Sequence, residues 1–323
     1  MSILILGGGG MVGQKLAHSL ADHGLTGHEG APVTLFDIGF PETGAPGQQI
    51  RGSVTDPLAM RRLAAARPKV IFHLASIVSG EAEADFELGW LTNMQSFWTL
   101  LEALRAEHLA SGGSYRPRFV FTSSIAVFGG PYPDKIGDEF LSAPLTSYGA
   151  QKACNELMLT DFSRKGFVDG ISIRLPTICV RPGKANKAAS SFFSGIIREP
   201  LNGLEAILPV PDTVRHWHAS PRAAVGFLRH ASTMDLDRLQ DRRALSMPGV
   251  SCTVAEQIEA LRAIAGNNVV SLIRSEPDET VQRIVQGWPR DFDAARARKL
   301  GFAAESDFAE IIRIYLEDDL HRG

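Results

Sequence analysis

The chain has 323 residues, a formal net charge of −3 at pH 7, and hydrophobic and charged fractions of 44% and 21%. A chain of this length can bury one large core or two smaller ones, and its slightly acidic balance argues against a general nucleic-acid or anionic-membrane binder. Its apolar runs are shorter than a membrane span, and the three scattered cysteines (Cys154, Cys179 and Cys252) are typical of reduced thiols, so we expect a cytoplasmic protein without a nucleic-acid or membrane partner.

Short apolar strands alternate with longer helical patterns in the first half of the chain. Strands are predicted at 3–6, 33–36, 70–73, 119–121 and 171–174, with helices over 12–23, 57–66, 86–107 and 148–165 between them. Such alternation predicts an α/β protein with a Rossmann-type, doubly wound parallel sheet covered by helices on both faces.

The composition changes after about residue 175. Residues 176–220 are rich in proline, glycine and small polar residues, and helices are predicted near 190–198 and over 222–234, 254–265, 278–285 and 306–321. Single strand-like runs lie at 206–209 and 269–273. We therefore predict a Rossmann domain over 1–175, to which 213–234 returns, and a smaller, mostly helical lobe over 176–323.

Four consecutive glycines connect the first predicted strand to the first predicted helix. Gly7, Gly10 and Gly13 have the spacing G-x-x-G-x-x-G between a strand and a helix, which is the context of a dinucleotide-binding loop. Bare backbone lets a pyrophosphate approach Gly7, Gly10 and the helix-starting residues Met11 and Val12, where the helix dipole favours negative charge. A merely flexible turn is the alternative.

The second strand ends in Asp37, about two dozen residues after the glycines. A carboxylate there can accept hydrogen bonds from the adenosine ribose and repels the extra phosphate of NADP, so we expect NAD as the cofactor and 1–175 as the NAD-binding domain. An ordinary turn aspartate is the alternative. In "RGSVTDP", Ser53 and Val54 suit a loop against the adenine ring, whereas Asp56 before Pro57 is equally a helix N-cap.

A serine, a tyrosine and a lysine follow in order. Ser124 lies at the mouth of the fifth predicted strand, in "RFVFTSSIAVFGG". Tyr148 and Lys152 are four residues apart, on one face of the next predicted helix. A phenol with a pKa of about 10 is a poor base at neutral pH, and a neighbouring ammonium lowers that pKa. We therefore expect Tyr148 to be the general base, Lys152 to lower its pKa and hold the nicotinamide ribose, and Ser124 to bind the substrate oxygen.

With these motifs in this order, the chain resembles the extended short-chain dehydrogenase/reductase family, in its epimerase and dehydratase branch, over nearly its whole length. The resemblance implies that Ser124, Tyr148 and Lys152 are the catalytic trio. It further implies cofactor contacts from the fourth-strand motif, a helix asparagine and the strand beside the nicotinamide, namely Leu74, Ala75, Ser76, Asn93, Pro176, Thr177 and Ile178. Three departures, at Ser53, at Pro176–Thr177 and in "RHWHA" over 215–219, argue against a nucleotide-sugar substrate.

The segment after Arg174 combines cations with small hydroxyl residues, and it resembles the matching segment of dehydrogenases that act on small sugar acids. That resemblance implies NAD-dependent oxidation of the C2 hydroxyl of a four-carbon sugar acid, with D-erythronate as the expected substrate and 2-oxo-tetronate as the product. The expected substrate contacts are Ser76, Ser124, Tyr148, Thr177, Lys187, Ser190 and Arg215. Lys187 and Arg215 are the candidates for the carboxylate, each against the alternative of a solvated cation, whereas Arg174 is expected in a structural ion pair.

Other functions and partners remain open at this stage. An NAD-dependent nucleotide-sugar epimerase or dehydratase is the alternative enzyme, and a redox-sensing dinucleotide-binding regulator is disfavoured because both the tyrosine and the lysine are present. His216 and His218 alternate on a strand without a third ligand, so we expect no metal. The family resemblance implies a homodimer formed through the helices over 86–107 and 148–165.

Overall fold

The computed structural model describes residues 2–183 and 189–320, and the chain divides into two compact units. Unit 1 comprises Met1–Val127, Pro144–Arg174 and Val225–Ser246. Unit 2 comprises Phe128–Ala143, Leu175–Ala224 and Met247–Gly323.

Unit 1 is built on a seven-stranded sheet in the order β10-β6-β5-β4-β1-β2-β3. The strands are β1 (Ile3–Leu6), β2 (Val33–Asp37), β3 (Gln48–Arg51), β4 (Val70–His73), β5 (Arg118–Ser124), β6 (Asp169–Leu175) and β10 (Ala244–Ser246). The register pairs Ile5 with Leu35 on one side and with Phe72 on the other, both in parallel. The order reverses between β1 and β4, and ligands of such sheets bind beyond the carboxyl ends of the strands at this switch point.

Helices cover the sheet. They are α1 (Met11–His23), α2 (Pro57–Ala65), α3 (Ser79–Ala84), α4 (Phe86–Gly89), α5 (Ser96–Ala110) and α6 (Ser147–Arg164), with a π-helical turn at Trp90–Gln95. The core on one face joins Leu4 and Leu6 of β1 to Phe97 and Leu101 of α5, all at least nine-tenths buried. This arrangement is the expected Rossmann-type doubly wound fold. In the described ranges, no helix has the length and apolar character needed to cross a bilayer.

Unit 2 is mostly helical, as predicted, and also contains two small sheets. One has the order β11-β9-β7 and the other β12-β8. The strands are β7 (Thr177–Ile178), β8 (Ala206–Leu208), β9 (Arg215–Ala219), β11 (Val250–Thr253) and β12 (Ile273–Ser275). The helices are α7 (Ser191–Leu201), α9 (Val254–Ala265), α10 (Asn267–Val270), α11 (Glu279–Gln286), α12 (Ala295–Lys299) and α13 (Phe308–Asp318), and α8 (Pro221–Thr233) runs from unit 2 into unit 1.

The strand predicted over 269–273 is wrong. Gly266, with φ of +84°, ends α9, and Asn267 starts the short helix α10, in which Val270 is buried. The strand begins only at Ile273 and pairs with Ala206 of β8. A short apolar run fits a helix or a strand equally well, and here the turn at Gly266 decides.

The segment of the second half that returns to unit 1 differs from the predicted 213–234. Strand β9 stays in unit 2 because it pairs with β7 and β11, whereas the segment Val225–Ser246 joins unit 1 because β10 pairs with β6. Residues Phe128–Ala143, placed by the prediction in the first domain, belong to unit 2, where Ile136 bridges to Phe292. Strand pairing between distant segments therefore decides the boundaries.

Candidate active site

Three of the four consecutive glycines are required by the packing of unit 1 itself. A Cβ on Gly7, whose φ is +84°, would lie 2.6 Å from the Ala75 nitrogen, and one on Gly8 would lie 2.6 Å from the Leu35 Cβ. A Cβ on Gly9 would lie 1.9 Å from the Gly39 carbonyl oxygen. Any side chain at these positions would push the loop away from the ends of the neighbouring strands.

Gly10 is different because the protein leaves space around it. It is exposed, and the nearest atom to an added Cβ is the Gly7 oxygen at 3.5 Å, an ordinary contact. Gly10 is also the N-cap of α1, and no side chain caps that end of the helix. The first-turn N–H groups of a 13-residue helix are thus available to an anion, and a Cβ on Gly10 would stand in its way. This loop fits the pyrophosphate of a dinucleotide.

Asp37 ends β2 beside this loop. One of its carboxylate oxygens, Oδ2, accepts a hydrogen bond from the Gly9 N–H at 2.9 Å, which fixes the carboxylate against the glycine loop. The adjacent loop holds Ser53, whose Oγ lies 2.7 Å from the Thr55 hydroxyl, while Asp56 caps α2 by accepting from the Leu58 N–H at 2.9 Å. The helix-cap interpretation of Asp56 is therefore confirmed.

The serine and the tyrosine are brought together by a close approach of two backbone segments. Ser124 is the last residue of β5, and its Oγ accepts from the Ala126 N–H at 3.1 Å. Gly149, next to Tyr148 in the first turn of α6, lies so close that an added Cβ would come within 2.1 Å of the Ala126 oxygen. Thr146 caps this helix through the Gly149 N–H at 3.1 Å. The start of α6 is thereby held against the turn that follows Ser124.

Lys152 is buried, with 2% of its surface exposed, beneath the tyrosine. Its Nζ donates to the Thr122 carbonyl oxygen at 2.9 Å and lies 5.4 Å from the centre of the Tyr148 ring and 4.8 Å from that of Phe121. Burial lowers the pKa of Lys152 from 10.5 to about 7, and the Glu156 carboxylate opposes this shift. A phenol beside this amine can take a proton from a substrate hydroxyl, with the ammonium form compensating the phenolate.

Glu156 is a part of the site that the sequence reasoning missed. It lies one turn beyond Lys152 on α6, is 4% exposed, and accepts a hydrogen bond from the Ser123 hydroxyl at 2.5 Å. Arg174 at the end of β6 forms a bidentate ion pair with it, through Nη2 at 2.6 Å and Nε at 2.9 Å. The predicted structural ion pair of Arg174 is confirmed. The i, i+4 spacing from Lys152 was the available sequence signal.

Asn93 lies in the π-helical turn between α4 and α5 and ties the loop after β4 to α6. Its Oδ1 accepts from the Ile77 N–H at 2.9 Å and from the Ser76 hydroxyl at 3.0 Å, and its Nδ2 donates to Gln151 Oε1 at 2.7 Å. The Asn93 carbonyl oxygen accepts from the Asn155 side chain at 2.7 Å. The structure thus brings Ser76 and Asn93 together.

The candidate residues of unit 2 fall on two faces of its three-stranded sheet. Thr177 Oγ1 lies 2.7 Å from His216 Nε2, so the two side chains share a face. Successive residues of a strand point to opposite faces, and β9 is the central strand, so Arg215 lies on the other face. There it donates to the Ser251 carbonyl oxygen at 3.1 Å and pairs with Glu256 at 3.1 Å.

Arg215 lines a cavity of about 310 Å³ in unit 2, together with Lys135, Arg298 and the aromatic rings of Trp217 and Phe292. Two acidic residues in this wall, Asp291 and Asp293, pair with Lys135 at 3.5 Å and with Arg298 at 4.0 Å. The cavity is therefore polar with nearly balanced charge.

Arg198 and the two histidines of unit 2 have structural partners. Arg198 is buried, pairs with Glu199 and donates to the Arg181 carbonyl oxygen at 2.8 Å. Ser190 precedes α7 without capping it, and Lys187 lies outside the described residues. His216 and His218 lie 5.3 Å apart between ring centres, and within 2–183 and 189–320 no three metal-ligating side chains gather.

Comparison with known proteins identifies relatives along the whole chain. Residues 3–218 match the model of the NAD dependent epimerase/dehydratase family. The D-erythronate dehydrogenase of Cupriavidus necator is 45% identical, covering 98% of both chains, and that of Haemophilus influenzae is 38% identical, covering 99% of this chain and all of that one. A crystal structure described as the nucleoside-diphosphate-sugar epimerase from Agrobacterium tumefaciens is 54% identical, with a TM-score of 0.95 over 100% of this chain and 95% of the other.

We expect Lys152→Met to stabilise the cofactor-free protein while abolishing turnover. The folded-state pKa of about 7 lies below the unfolded value of 10.5, so the buried amine destabilises the fold increasingly as pH falls from 10.5 to 7. Methionine removes this penalty but loses the bond to the Thr122 carbonyl, for a net gain of roughly 1–3 kcal/mol at pH 7.

Urea unfolding at pH 7 and pH 10 measures this difference. The gain should shrink at pH 10, and the exposed Lys165→Met at the end of α6 is the matched control, with little change at either pH. A variant less stable than the wild type at pH 7 would contradict the burial penalty.

Proposed function

The chain belongs to the NAD-dependent epimerase/dehydratase family, and from this premise we propose that it is an NAD-dependent dehydrogenase that oxidises the C2 hydroxyl of D-erythronate to 2-oxo-tetronate. The observation that carries this proposal is the full-length identity of 45% and 38% to two D-erythronate dehydrogenases. The positions of Ser124, Tyr148 and Lys152 in unit 1 support the same chemistry.

In this reaction each residue of the trio has one task. Ser124 donates a hydrogen bond to the C2 oxygen and orients it, and Tyr148 accepts the proton of that hydroxyl. Lys152 holds positive charge beneath the phenol ring. It would also hold the nicotinamide ribose of a bound cofactor. A bound NAD would supply the acceptor for the hydride that leaves C2. Glu156 keeps Lys152 and the end of β5 in place.

The residues proposed to hold NAD lie mostly in unit 1, which we propose as the NAD-binding domain, with unit 2 as the substrate-binding domain. The start of α1 would hold the pyrophosphate, Asp37 the ribose, and the loop after β3 the adenine. The full proposed set is Gly7, Gly10, Met11, Val12, Asp37, Ser53, Val54, Leu74, Ala75, Ser76, Asn93, Tyr148, Lys152, Pro176, Thr177 and Ile178. The proposed substrate contacts are Ser76, Ser124, Tyr148, Thr177, Lys187 and Ser190.

A nucleotide-sugar epimerase or dehydratase is the second candidate, because the similar Agrobacterium tumefaciens structure is described as a nucleoside-diphosphate-sugar epimerase. The two functions differ in the fate of the reduced cofactor. A dehydrogenase releases NADH at every turnover, whereas an epimerase or dehydratase uses it again within the same turnover.

We expect net NADH formation with NAD and D-erythronate, less with other four- and five-carbon sugar acids, and none with UDP- or dTDP-hexoses. Tyr148→Phe should lower kcat by about a hundred- to ten-thousand-fold, because it removes the proton acceptor while the ring still fills its place. Absorbance at the NADH band measures both the substrate preference and the loss of kcat in Tyr148→Phe. Ser124→Ala should lower kcat by less than Tyr148→Phe does. Turnover of a nucleotide sugar without net NADH formation would favour the second candidate.

The cofactor preference is proposed to rest on Asp37. Its carboxylate, fixed by the Gly9 N–H, would repel the 2′-phosphate of NADP. We expect kcat/KM for NAD to exceed that for NADP by at least about tenfold, and Asp37→Ser to reduce this ratio mainly through a lower KM for NADP. Asp56→Ser, at the neighbouring helix cap, is the matched control. Equal use of both cofactors by the wild type would remove Asp37 from this role.

For the substrate carboxylate we propose Lys187 rather than Arg215. A four-carbon acid that contacts Thr177 on one face of the three-stranded sheet cannot also reach Arg215 on the other face. Arg215 is in addition engaged by Ser251 and Glu256. These two observations favour Lys187 over Arg215 as the partner of the substrate carboxylate.

We expect Lys187→Ala to raise KM for D-erythronate by about tenfold or more, with little effect on kcat or on a neutral polyol such as erythritol. The carboxylate stays ionised throughout, so its cation stabilises the ground state and transition state alike, by roughly 1.5–3 kcal/mol. Arg215→Ala is the matched control, with KM within about twofold of the wild type. A selective rise of KM in Arg215→Ala instead would place the carboxylate on the Arg215 face.

The protein is proposed to be a homodimer formed through α5 and α6. Trp98 on α5 and Leu157 on α6 are 45% and 73% exposed, and such large apolar side chains on neighbouring helices favour contact with a second copy. We expect Trp98→Glu with Leu157→Glu to convert a dimer into a monomer in sedimentation velocity. Leu58→Glu, on the exposed face of α2, should leave the dimer intact. A monomeric wild type would contradict this proposal.

A cytoplasmic location is proposed from the cysteines. Cys154, Cys179 and Cys252 are free, and burial raises the pKa of the Cys179 thiol to about 12. Unpaired thiols of this kind are typical of a reducing compartment. Cell fractionation that recovers the protein in an oxidising compartment would contradict this location.

A further inference from the structure

A chain of two hydrogen bonds leads from Thr177 into the interior of unit 2. Thr177 Oγ1 lies 2.7 Å from His216 Nε2, and His216 Nδ1 lies 3.0 Å from the Pro289 carbonyl oxygen. The imidazole is 3% exposed and is held between Phe193, stacked at 5.2 Å and 3° between ring planes, and Trp288 at 5.2 Å. The ring therefore has one position and two fixed neighbours.

The proton positions in this chain follow from the groups present. The Pro289 carbonyl can only accept, so His216 Nδ1 must carry a hydrogen. Burial lowers the pKa of His216 to about 4, so the ring is neutral at physiological pH and has one N–H only. Nε2 is then bare and can only accept. The Thr177 hydroxyl consequently donates its single proton to His216.

What Thr177 offers to a ligand is therefore restricted to its oxygen lone pairs. Thr177 is partly exposed and is the second residue after the carboxyl end of β6, where ligands of parallel sheets bind. A hydroxyl whose proton is already committed attracts a donor and repels a carboxylate or keto oxygen. His216, and not the ligand, decides whether the Thr177 hydroxyl donates or accepts a hydrogen bond.

We propose that Thr177 determines specificity by accepting a hydrogen bond from a substrate hydroxyl beyond C2, and that His216 is the positioning residue that fixes this polarity. The inference rests on the proposed function and adds to it the selection of polyhydroxy acids over deoxy acids. It also directs the carboxylate away from Thr177.

The test compares D-erythronate with its 3-deoxy-3-fluoro and 4-deoxy-4-fluoro analogues, because a C–F group cannot donate. The wild type is expected to lose about tenfold in kcat/KM with one of the two analogues, which identifies the hydroxyl concerned. In Thr177→Val, kcat/KM for D-erythronate is expected to fall about tenfold, and kcat/KM for that analogue is expected to equal the value for D-erythronate. Thr177→Ser keeps the wild-type discrimination. If Thr177→Val leaves the discrimination unchanged, or raises KM for NAD alone, the proposal is overturned.

His216→Phe tests the positioning role. The phenyl ring can keep the stacking on Phe193 but cannot accept a proton, so the Thr177 hydroxyl is free to donate. Discrimination against the fluoro analogue is expected to fall below about threefold with little change in KM for NAD. In the Thr177→Val background the same substitution is expected to have no effect on discrimination. Full discrimination in His216→Phe would overturn the role of His216.

A readout without substrate separates this inference from the proposed function. In protein labelled with ¹⁵N-histidine, the His216 Nε2 resonance at pH 7 is expected in the range of an unprotonated imidazole nitrogen, and Nδ1 in that of a protonated one. A protonated Nε2 overturns the inference whatever the activity. Absence of NADH formation from the wild type with every sugar acid overturns the proposed function instead.

Discussion

The site depends on one buried amine. Lys152 lies in the interior of unit 1, where its Nζ donates to the Thr122 carbonyl and faces the rings of Tyr148 and Phe121. Taking an ammonium out of water is unfavourable, and the downward shift of its pKa to about 7 expresses this cost. The surrounding structure limits the cost through Glu156, which lies on the same helix face. A buried amine beneath the tyrosine thus requires polar partners within the core.

Glu156, which opposes the pKa shift of Lys152, is itself held by two strands of the sheet. Its carboxylate accepts a hydrogen bond from the Ser123 hydroxyl of β5 and pairs with the guanidinium of Arg174 in β6. These contacts fix α6 to two strands. A buried carboxylate with all its partners specifies one arrangement, because removing any partner leaves a charge uncompensated. Gly149 completes the arrangement from the other side by letting α6 approach Ala126. The positions of Ser124 and Tyr148 are therefore set by neighbours outside the proposed catalytic trio.

Neighbouring glycines in the first loop meet two different demands. Gly7, Gly8 and Gly9 have no room for a Cβ because strand ends and the following loop lie against them, whereas Gly10 has room and is exposed. The first three shape the loop, and the fourth leaves the start of α1 open to an anion. A similar division holds in unit 2, where the face of Thr177 and His216 is separated from the face of Arg215 by the alternation of β9.

The sequence alone determined the local elements and the candidates for the reactive groups. Strand and helix alternation, the glycine spacing, Asp37, and the pair Tyr148 and Lys152 follow from short-range patterns that a chain carries whatever its neighbours are. Only the tertiary structure decided what depends on distant pairing. It assigned β9 to unit 2, made 267–270 a helix, gave Glu156 and Asn93 their partners, and fixed the proton of His216 through Pro289. These contacts join residues far apart in the chain, and no local pattern records which of the many polar side chains will meet when the sheet and its helices pack.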